Sequence, residues 1–265
     1  MAQKHDYITL VDTHCHLHFS NYSNVSQVIA EASKCGVTKL ICVGTTLADS
    51  RQAAKLAAKY KTVWASAGVH PHEADRFVAD KHGPSQLKRL LGYTRVVAVG
   101  EIGLDLYKNY SAKDAQERSL RLQIESSAQA DLPYIFHVRE AWDDFWRIFD
   151  SYESAGWRPR GVVHSFSAHP KQLEESLSRG LYIGLNGIMT FTQDSWQLAA
   201  AKLVPIDRLL LETDAPFLTP SPFRGELCEP KHIVNIAEFL AQLRGESVER
   251  LASYTTKNAA QLFGL

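Results

Sequence analysis

A closed (β/α)8 barrel, the TIM barrel, is the fold class the sequence predicts, and three observations carry the prediction. Eight short apolar, β-prone segments alternate with eight helical ones, and each crossover of a parallel sheet must lie on a sheet face. The 265 residues match one barrel of about 250, and no Pro/Gly/Ser-rich linker divides them, so a single domain over 1–265 is expected. Finally, the chemically loaded residues recur at one place in each unit, just past a strand, where barrels build their sites. A doubly wound open sheet is the other arrangement compatible with the alternation, but the first strand lacks the glycine-rich phosphate loop expected there.

The elements follow in order. Residues 7–11 are an apolar β-prone run and form the first predicted strand, leading into Asp12, Thr13, His14, Cys15 and His16. Alternation along a strand points His14 and His16 to one face and Cys15 to the other, toward the helices. A helix over 25–35 places Val25, Val28, Ile29 and Ala32 on one face and stops at Gly36. A buried strand over 37–44 and an alanine-rich helix over 47–60 come next. A third strand, 62–69, ends in Gly68-Val69-His70-Pro71-His72, and a helix over 85–91 follows it. The fourth strand, 95–100, runs into Glu101 and Asp105, and the next helix, 113–131, repeats Leu120, Ile124 and Ala128 four apart. A fifth strand over 133–137 ends in His137. The helix over 141–155 carries Trp142, Phe145, Trp146 and Phe149 on one stripe, which reads as core packing. The pattern continues with strand 161–164, helix 170–179, strand 181–185, helix 194–203 and strand 208–213, which ends at Asp214-Ala215-Pro216. A loop rich in proline and glycine, 217–229, precedes a helix over 232–244, and two short helices, 247–253 and 255–262, close the chain.

Composition narrows the function. Hydrophobic residues make up 45% of the chain, enough for one sizeable core. Lys+Arg and Asp+Glu both total 29, and a zero net charge disfavours a protein that coats long duplex while leaving room for one that grips a strand end. The 4 cysteines form no CxxC pair, which fits a reducing compartment. The N-terminus has no signal-peptide core and no run reaches transmembrane length, so a cytoplasmic protein with no membrane partner is expected; oligomeric state is not legible.

His14 and His16 follow the first strand, Glu101 the fourth, His137 the fifth, His164 the sixth and Asp214 the eighth. In a barrel these ends converge on one mouth. Four imidazoles and two carboxylates exceed the needs of one tetrahedral metal and suit a dinuclear centre, with ions about 3.5–4 Å apart and Glu101 as the natural bridge.

The chain resembles the TatD family of metal-dependent deoxyribonucleases, within the larger amidohydrolase-like barrel group. The matching segments are Val11-Asp-Thr-His-Cys-His-Leu17, Gly68-Val-His-Pro-His72, Gly100-Glu-Ile-Gly-Leu-Asp105 and Phe136-His-Val-Arg139. They continue through His164-Ser-Phe-Ser167, Gly180-Leu-Tyr-Ile-Gly184, Leu211-Glu-Thr-Asp-Ala-Pro216 and Thr256-Lys-Asn-Ala-Ala-Gln-Leu-Phe263, over almost the whole chain. The resemblance implies a TIM-like barrel, two divalent metal ions, and phosphodiester hydrolysis of DNA ends as a 3′-to-5′ exonuclease. It implies a first ion on His14, His16, Glu101 and Asp214 and a second on Glu101, His137 and His164. Imidazole ligands suit Zn²⁺, Mn²⁺ or Co²⁺, and the resemblance implies Mg²⁺, so Mg²⁺ or Mn²⁺ is expected for activity with Zn²⁺ as an occupant after purification. Two segments depart from the family pattern: Glu226-Leu-Cys-Glu-Pro230 where many relatives read Arg-Asn-Glu-Pro, and Ser165-Phe-Ser-Ala168 where Cys-Phe-Ser-Gly is usual. Both lie in loops over the mouth and bear on substrate preference.

The expected mechanism is metal-assisted hydrolysis, with Asp214 as the general base and Glu101 the other catalytic carboxylate. His70, His72, Arg139, Arg224 and Glu212 are expected to face substrate, the arginines as bidentate phosphate clamps and Glu212 also as a support for a ligand, a role open to Asp12 as well. The same centre serves a second expectation, an esterase such as a D-aminoacyl-tRNA deacylase. A non-enzymatic binding module is a third; it would be expected to have lost one of the six ligands, and none is lost.

Overall fold

A computed structural model describes residues 8–265. Its elements alternate as expected: β1 (Leu10–Cys15), α1 (Val25–Lys34), β2 (Val37–Cys42), α2 (Leu47–Lys59), β3 (Val63–Ala67), α3 (Ala74–Ala79), α4 (Gly83–Leu91), β4 (Val96–Asp105) and α5 (Lys113–Ser127). Then come β5 (Tyr134–Arg139), α6 (Trp142–Ser154), β6 (Gly161–Val163), α7 (Pro170–Ser178), β7 (Tyr182–Leu185), α8 (Ser195–Leu203), β8 (Leu209–Leu211), α9 (Ile233–Arg244) and α10 (Val248–Phe263). The strands form one eight-stranded sheet in the order β1 to β8, the topology of the (β/α)8 barrel. Among the described residues no helix is long and apolar enough to cross a membrane.

Several boundaries move. β1 begins at Leu10 and includes His14, instead of ending before it; Tyr7, where the first strand was expected to start, lies outside the described residues. β4 runs on to Asp105, so Glu101 stands inside a strand rather than after one. A helical turn, Pro71–Glu73, and α3 precede α4, because Pro71 pre-sets the first turn and His70 Nδ1 accepts the backbone N–H of His72 as a cap. The two closing helices are one, since the Thr255 hydroxyl donates to the carbonyls of Leu251 and Ala252 inside α10 and leaves no break.

The chain forms two compact units. In the first, Met1–Leu40 with Ser165–Leu265, β7 and β8 pair in parallel and α10 packs on β1 and β8. The apolar sides of Leu10, Leu17, Ile183, Leu185 and Leu209 are fully buried there. Thr13 Oγ1 donates to the Leu211 carbonyl at 2.9 Å, and Cys15, buried as alternation requires, bridges to Ala215.

In the second unit, Ile41–His164, β3, β4, β5 and β6 pair in parallel, with α5 against β4. The register shifts between Gly100 and Ile102, the stretch that carries Glu101. Gly103 pairs with His137 at φ +150°, and a Cβ there would run into the His137 carbonyl oxygen; glycine lets β4 pass that close. Phe145, Trp146 and Phe149 of the expected aromatic stripe are buried from α6 while Trp142 is half-buried, and Phe136 meets the Phe145 and Phe149 rings edge-on. Truncating such a ring to Ala would remove about 3–5 kcal/mol of stability.

Candidate functional site

In the first unit the ligand-type residues gather around Asp214. His14 and His16 come from the end of β1, two residues apart on one face, and Asp214 follows β8. Backbone bonds set their register: Asp214 N–H donates to the His14 carbonyl at 2.8 Å and His16 N–H to the Ala215 carbonyl at 2.7 Å. The two Nε2 atoms then stand 3.5 Å (His14) and 3.4 Å (His16) from Asp214 Oδ1. Asp214 takes a left-handed backbone at φ 61°, a conformation that Asp tolerates better than most residues. His16 is stacked on Phe19 with ring centroids 4.7 Å apart, which fixes its plane.

Behind this group lies Asp12, fully buried. It accepts the backbone N–H groups of His14 (3.2 Å) and Thr213 (2.9 Å) and the Thr213 hydroxyl (2.6 Å), tying the two strand ends together. Burial pushes its pKa up to about 7, against the lowering effect of those bonds. Glu212, also buried, accepts the Ser165 backbone N–H at 2.6 Å and the Asn186 amide at 3.4 Å, so within this unit it holds the loop after β6. Arg224 lies over the Phe191 ring at 3.8 Å and donates to the Thr219 carbonyl at 2.7 Å.

In the second unit the hub is Glu101. Its Oε1 stands 2.8 Å from His137 Nδ1, 2.9 Å from His164 Nε2 and 3.5 Å from His70 Nε2. These imidazoles come from β5, from the residue after β6 and from the residue before the Pro71 turn. His164 is set by its backbone N–H, which donates to the Phe136 carbonyl at 3.0 Å. The loop carrying His70 is set by Gln123, whose side chain accepts the Val69 N–H at 2.7 Å and donates to the Val69 carbonyl at 2.9 Å. Burial lowers the His70 pKa to about 3, and the nearby Glu101 carboxylate only partly opposes it, so the ring is neutral at physiological pH; with Nδ1 accepting the His72 N–H, Nε2 carries the proton toward Glu101.

Asp105, the last residue of the Gly100–Asp105 segment, has a role that only the folded chain shows. The carboxylate is buried, and its Oδ2 meets His72 Nε2 at 3.0 Å and His137 Nε2 at 3.2 Å, while Oδ1 accepts the N–H groups of Tyr107 and Lys108. Burial alone would raise its pKa; the bonds from His137, Lys108 and His72 hold it well below the usual carboxylate range instead. For His137 burial favours the neutral ring, but the bonds to Asp105 and Glu101 raise its pKa above the ordinary value. The signal for Asp105 was present in the alternation of β4, where Glu101, Gly103 and Asp105 share a parity, once the strand is known to continue past Gly100. His70, expected to face substrate, stands within the Glu101 group, and His72 stands on Asp105. Arg139 is exposed, its guanidinium 4.0 Å from the centre of the Tyr107 ring.

The donor sets fit divalent ions. His14, His16 and Asp214, and separately His70, Glu101 and His137, each offer one ligand atom, with the atoms of a group all within 4.8 Å of one another. Donors bonded at about 2.0–2.1 Å to one tetrahedral centre stand about 3.3–3.4 Å apart. The separations around Asp214, 3.4 and 3.5 Å, match that spacing.

The chain is similar to proteins named as metal-dependent hydrolases and nucleases. The family described as TatD related DNase matches residues 11–264. The 3′-5′ ssDNA/RNA exonuclease TatD of Citrobacter rodentium is 35% identical over 244 residues, 90% of this chain and 91% of that protein. The uncharacterized metal-dependent hydrolase YabD of Bacillus subtilis is 34% identical over 257 residues, 96% of this chain and 98% of that one. The crystal structure of YjjV, a TatD homolog from Escherichia coli K12, superposes with a TM-score of 0.90 at 30% identity and covers 98% of this chain and 99% of its own.

Proposed function

Because this chain belongs to the TatD family of metal-dependent hydrolases, we propose that it shortens a nucleic-acid strand from its 3′ end, dependent on two divalent ions. The observation that carries the reading is the pair of carboxylate-centred imidazole groups, one around Asp214 and one around Glu101. A relative named as a 3′-5′ ssDNA/RNA exonuclease supports the substrate class.

His14, His16 and Asp214 would hold one ion; His137, His164 and Glu101 would hold the other, with His70 beside them. A divalent cation in such a site lowers the pKa of a bound water toward neutrality and offsets charge on phosphoryl oxygens. Asp214 has two oxygens, so one can serve as a ligand while the other accepts the proton of the attacking water. His70, neutral through burial, adds no positive charge that would repel a cation. Arg139 and Arg224 would each serve as a phosphate contact, and a chain of zero net charge needs few cations to hold one strand end. Mg²⁺ or Mn²⁺ supports turnover in this reading, with Zn²⁺ as an occupant the imidazoles also accept.

The test is a single strand labelled at its 5′ end, incubated with the protein under several metals. Stepwise shortening, arrested by chelator and by a blocked 3′ end, is expected. Equal degradation of blocked and free ends would remove the exonuclease reading. Faster cleavage of a D-aminoacyl-tRNA than of any nucleic acid would put an esterase in its place. Metal analysis should find up to two ions per chain and fewer in Glu101→Ala.

A further inference from the structure

The segment after β4 carries two tyrosines that the chemistry above leaves unused. Tyr107 is 59% exposed and Tyr110 is 68% exposed, in a protein that buries most of its large apolar side chains. Neither hangs free of the Glu101 group. The backbone N–H groups of Tyr107 and Lys108 donate to Asp105 Oδ1 at 3.0 and 2.8 Å, and the other oxygen of the same carboxylate meets His137 and His72. The Tyr110 ring sits edge-on to His72 with centroids 4.7 Å apart, and Ser111 Oγ donates to the His72 carbonyl at 2.9 Å.

Arg139 braces the Tyr107 ring from 4.0 Å, and Lys108 Nζ lies 5.6 Å from the same centroid. One planar guanidinium covers one face of a ring, so more than half of the tyrosine surface stays open to a ligand. An exposed aromatic ring, flanked by two cations and anchored to the carboxylate that meets His137, has the composition of a single-strand stacking platform. The ring takes a base by its π-face, whichever base it is, and the cations take the backbone.

We propose that Tyr107, braced by Arg139 and joined by Tyr110, is a base-stacking platform that seats a nucleotide of the single strand beside the Glu101 group. The inference rests on the nuclease reading and deepens it, since it gives the site a preference for unpaired, base-bearing strands with little regard to sequence.

The probe is a short single-stranded DNA with phosphorothioate linkages, to resist cleavage, and 2-aminopurine near its 3′ end, whose fluorescence falls on stacking. A saturable fall is expected with wild type and with Tyr107→Phe, and its loss with Tyr107→Ala and Tyr107→Leu. For the ordinary phosphodiester strand, Tyr107→Ala should raise KM about 5- to 100-fold, with a smaller change in kcat and recovery in Tyr107→Phe. Tyr110→Ala should act in the same direction. An undiminished fluorescence fall in Tyr107→Ala and Tyr107→Leu, with KM within about twofold of wild type, would overturn the platform while leaving the nuclease intact. A wild-type protein that neither binds nor cleaves single strands would overturn the nuclease reading itself, and the platform with it.

Discussion

The Asp214 group and the Glu101 group use the same side-chain types and are built in opposite ways. Around Asp214 the imidazoles are neighbours in sequence, positioned by strand alternation, and the carboxylate keeps ligand-like separations of 3.4 and 3.5 Å. Around Glu101 the imidazoles arrive from three separate places in the chain, and His137 and His164 close onto the carboxylate at hydrogen-bond distances of 2.8 and 2.9 Å. The supporting carboxylates differ too. Asp12 braces two backbone N–H groups and a hydroxyl and touches neither imidazole ring, whereas Asp105 braces two imidazoles as well as the loop after β4. A group set by backbone keeps its shape whatever occupies it. One set by side-chain hydrogen bonds depends on its second row of residues, as metal-ligating histidines commonly do.

The largest expected effect falls on the first group. Asp214→Asn keeps the shape and one oxygen donor but cannot take a proton at neutral pH, so kcat at saturating metal should drop about 10²–10⁴-fold while part of the metal remains bound. His14→Ala should lose metal and activity together. Near-wild-type kcat in metal-loaded Asp214→Asn would place the proton acceptor elsewhere.

Next comes Asp105→Asn, which sharpens the contrast in how the groups are supported. Metal affinity of the Glu101 group should weaken about 10- to 100-fold, seen as a shift of one step in a metal titration. If neither step moves, Asp105 serves only the loop that carries Tyr107.

Smaller effects are expected at the arginines. Arg139→Ala should raise KM and lower the salt slope of substrate binding by about 1, with Lys restoring only part because it lacks the planar fork. Arg224→Ala should do less, since that guanidinium is already engaged by Phe191 and the Thr219 carbonyl. Unchanged KM and salt slope in both variants would return these side chains to the solvated surface.

The last effect is on stability rather than turnover, and its sign differs between the groups. With Asp12 at about 7 when folded and an aspartate near 4 when unfolded, the folded state binds the extra proton between those values, so stability contributed at low pH is lost as pH rises from about 4 to 7. Asp105 is shifted down, so the unfolded chain binds the extra proton below about 4; its contribution is present above that pH and lost as pH falls through the folded value. Melting temperature against pH in chelator should therefore lose a falling limb in Asp12→Asn and a rising limb in Asp105→Asn. Parallel curves for the two variants would remove the distinction.

Much of this is legible in the chain alone. Alternation of apolar strands and helices specified the barrel class, and two histidines in an HxH at a strand end needed only period-two geometry to become a pair. The six ligand-type residues stood out because each followed, or nearly followed, a strand. What remained hidden depends on register and burial, which no local pattern encodes. The continuation of β4 to Asp105 follows from its pairing with β5 over Gly103 and His137, and only that pairing aims Asp105 at two imidazoles. His70 sits in the Glu101 group because Gln123, 53 residues away in α5 by the difference of their numbers, clasps Val69 on both sides of its peptide. The bracing of Tyr107 by Arg139 likewise brings together side chains that are remote in sequence. Periodicity acts through neighbours along the chain and so can be read from composition and spacing; hydrogen-bond partners across strands are chosen by the packing of the whole core, which exists only once the chain has folded.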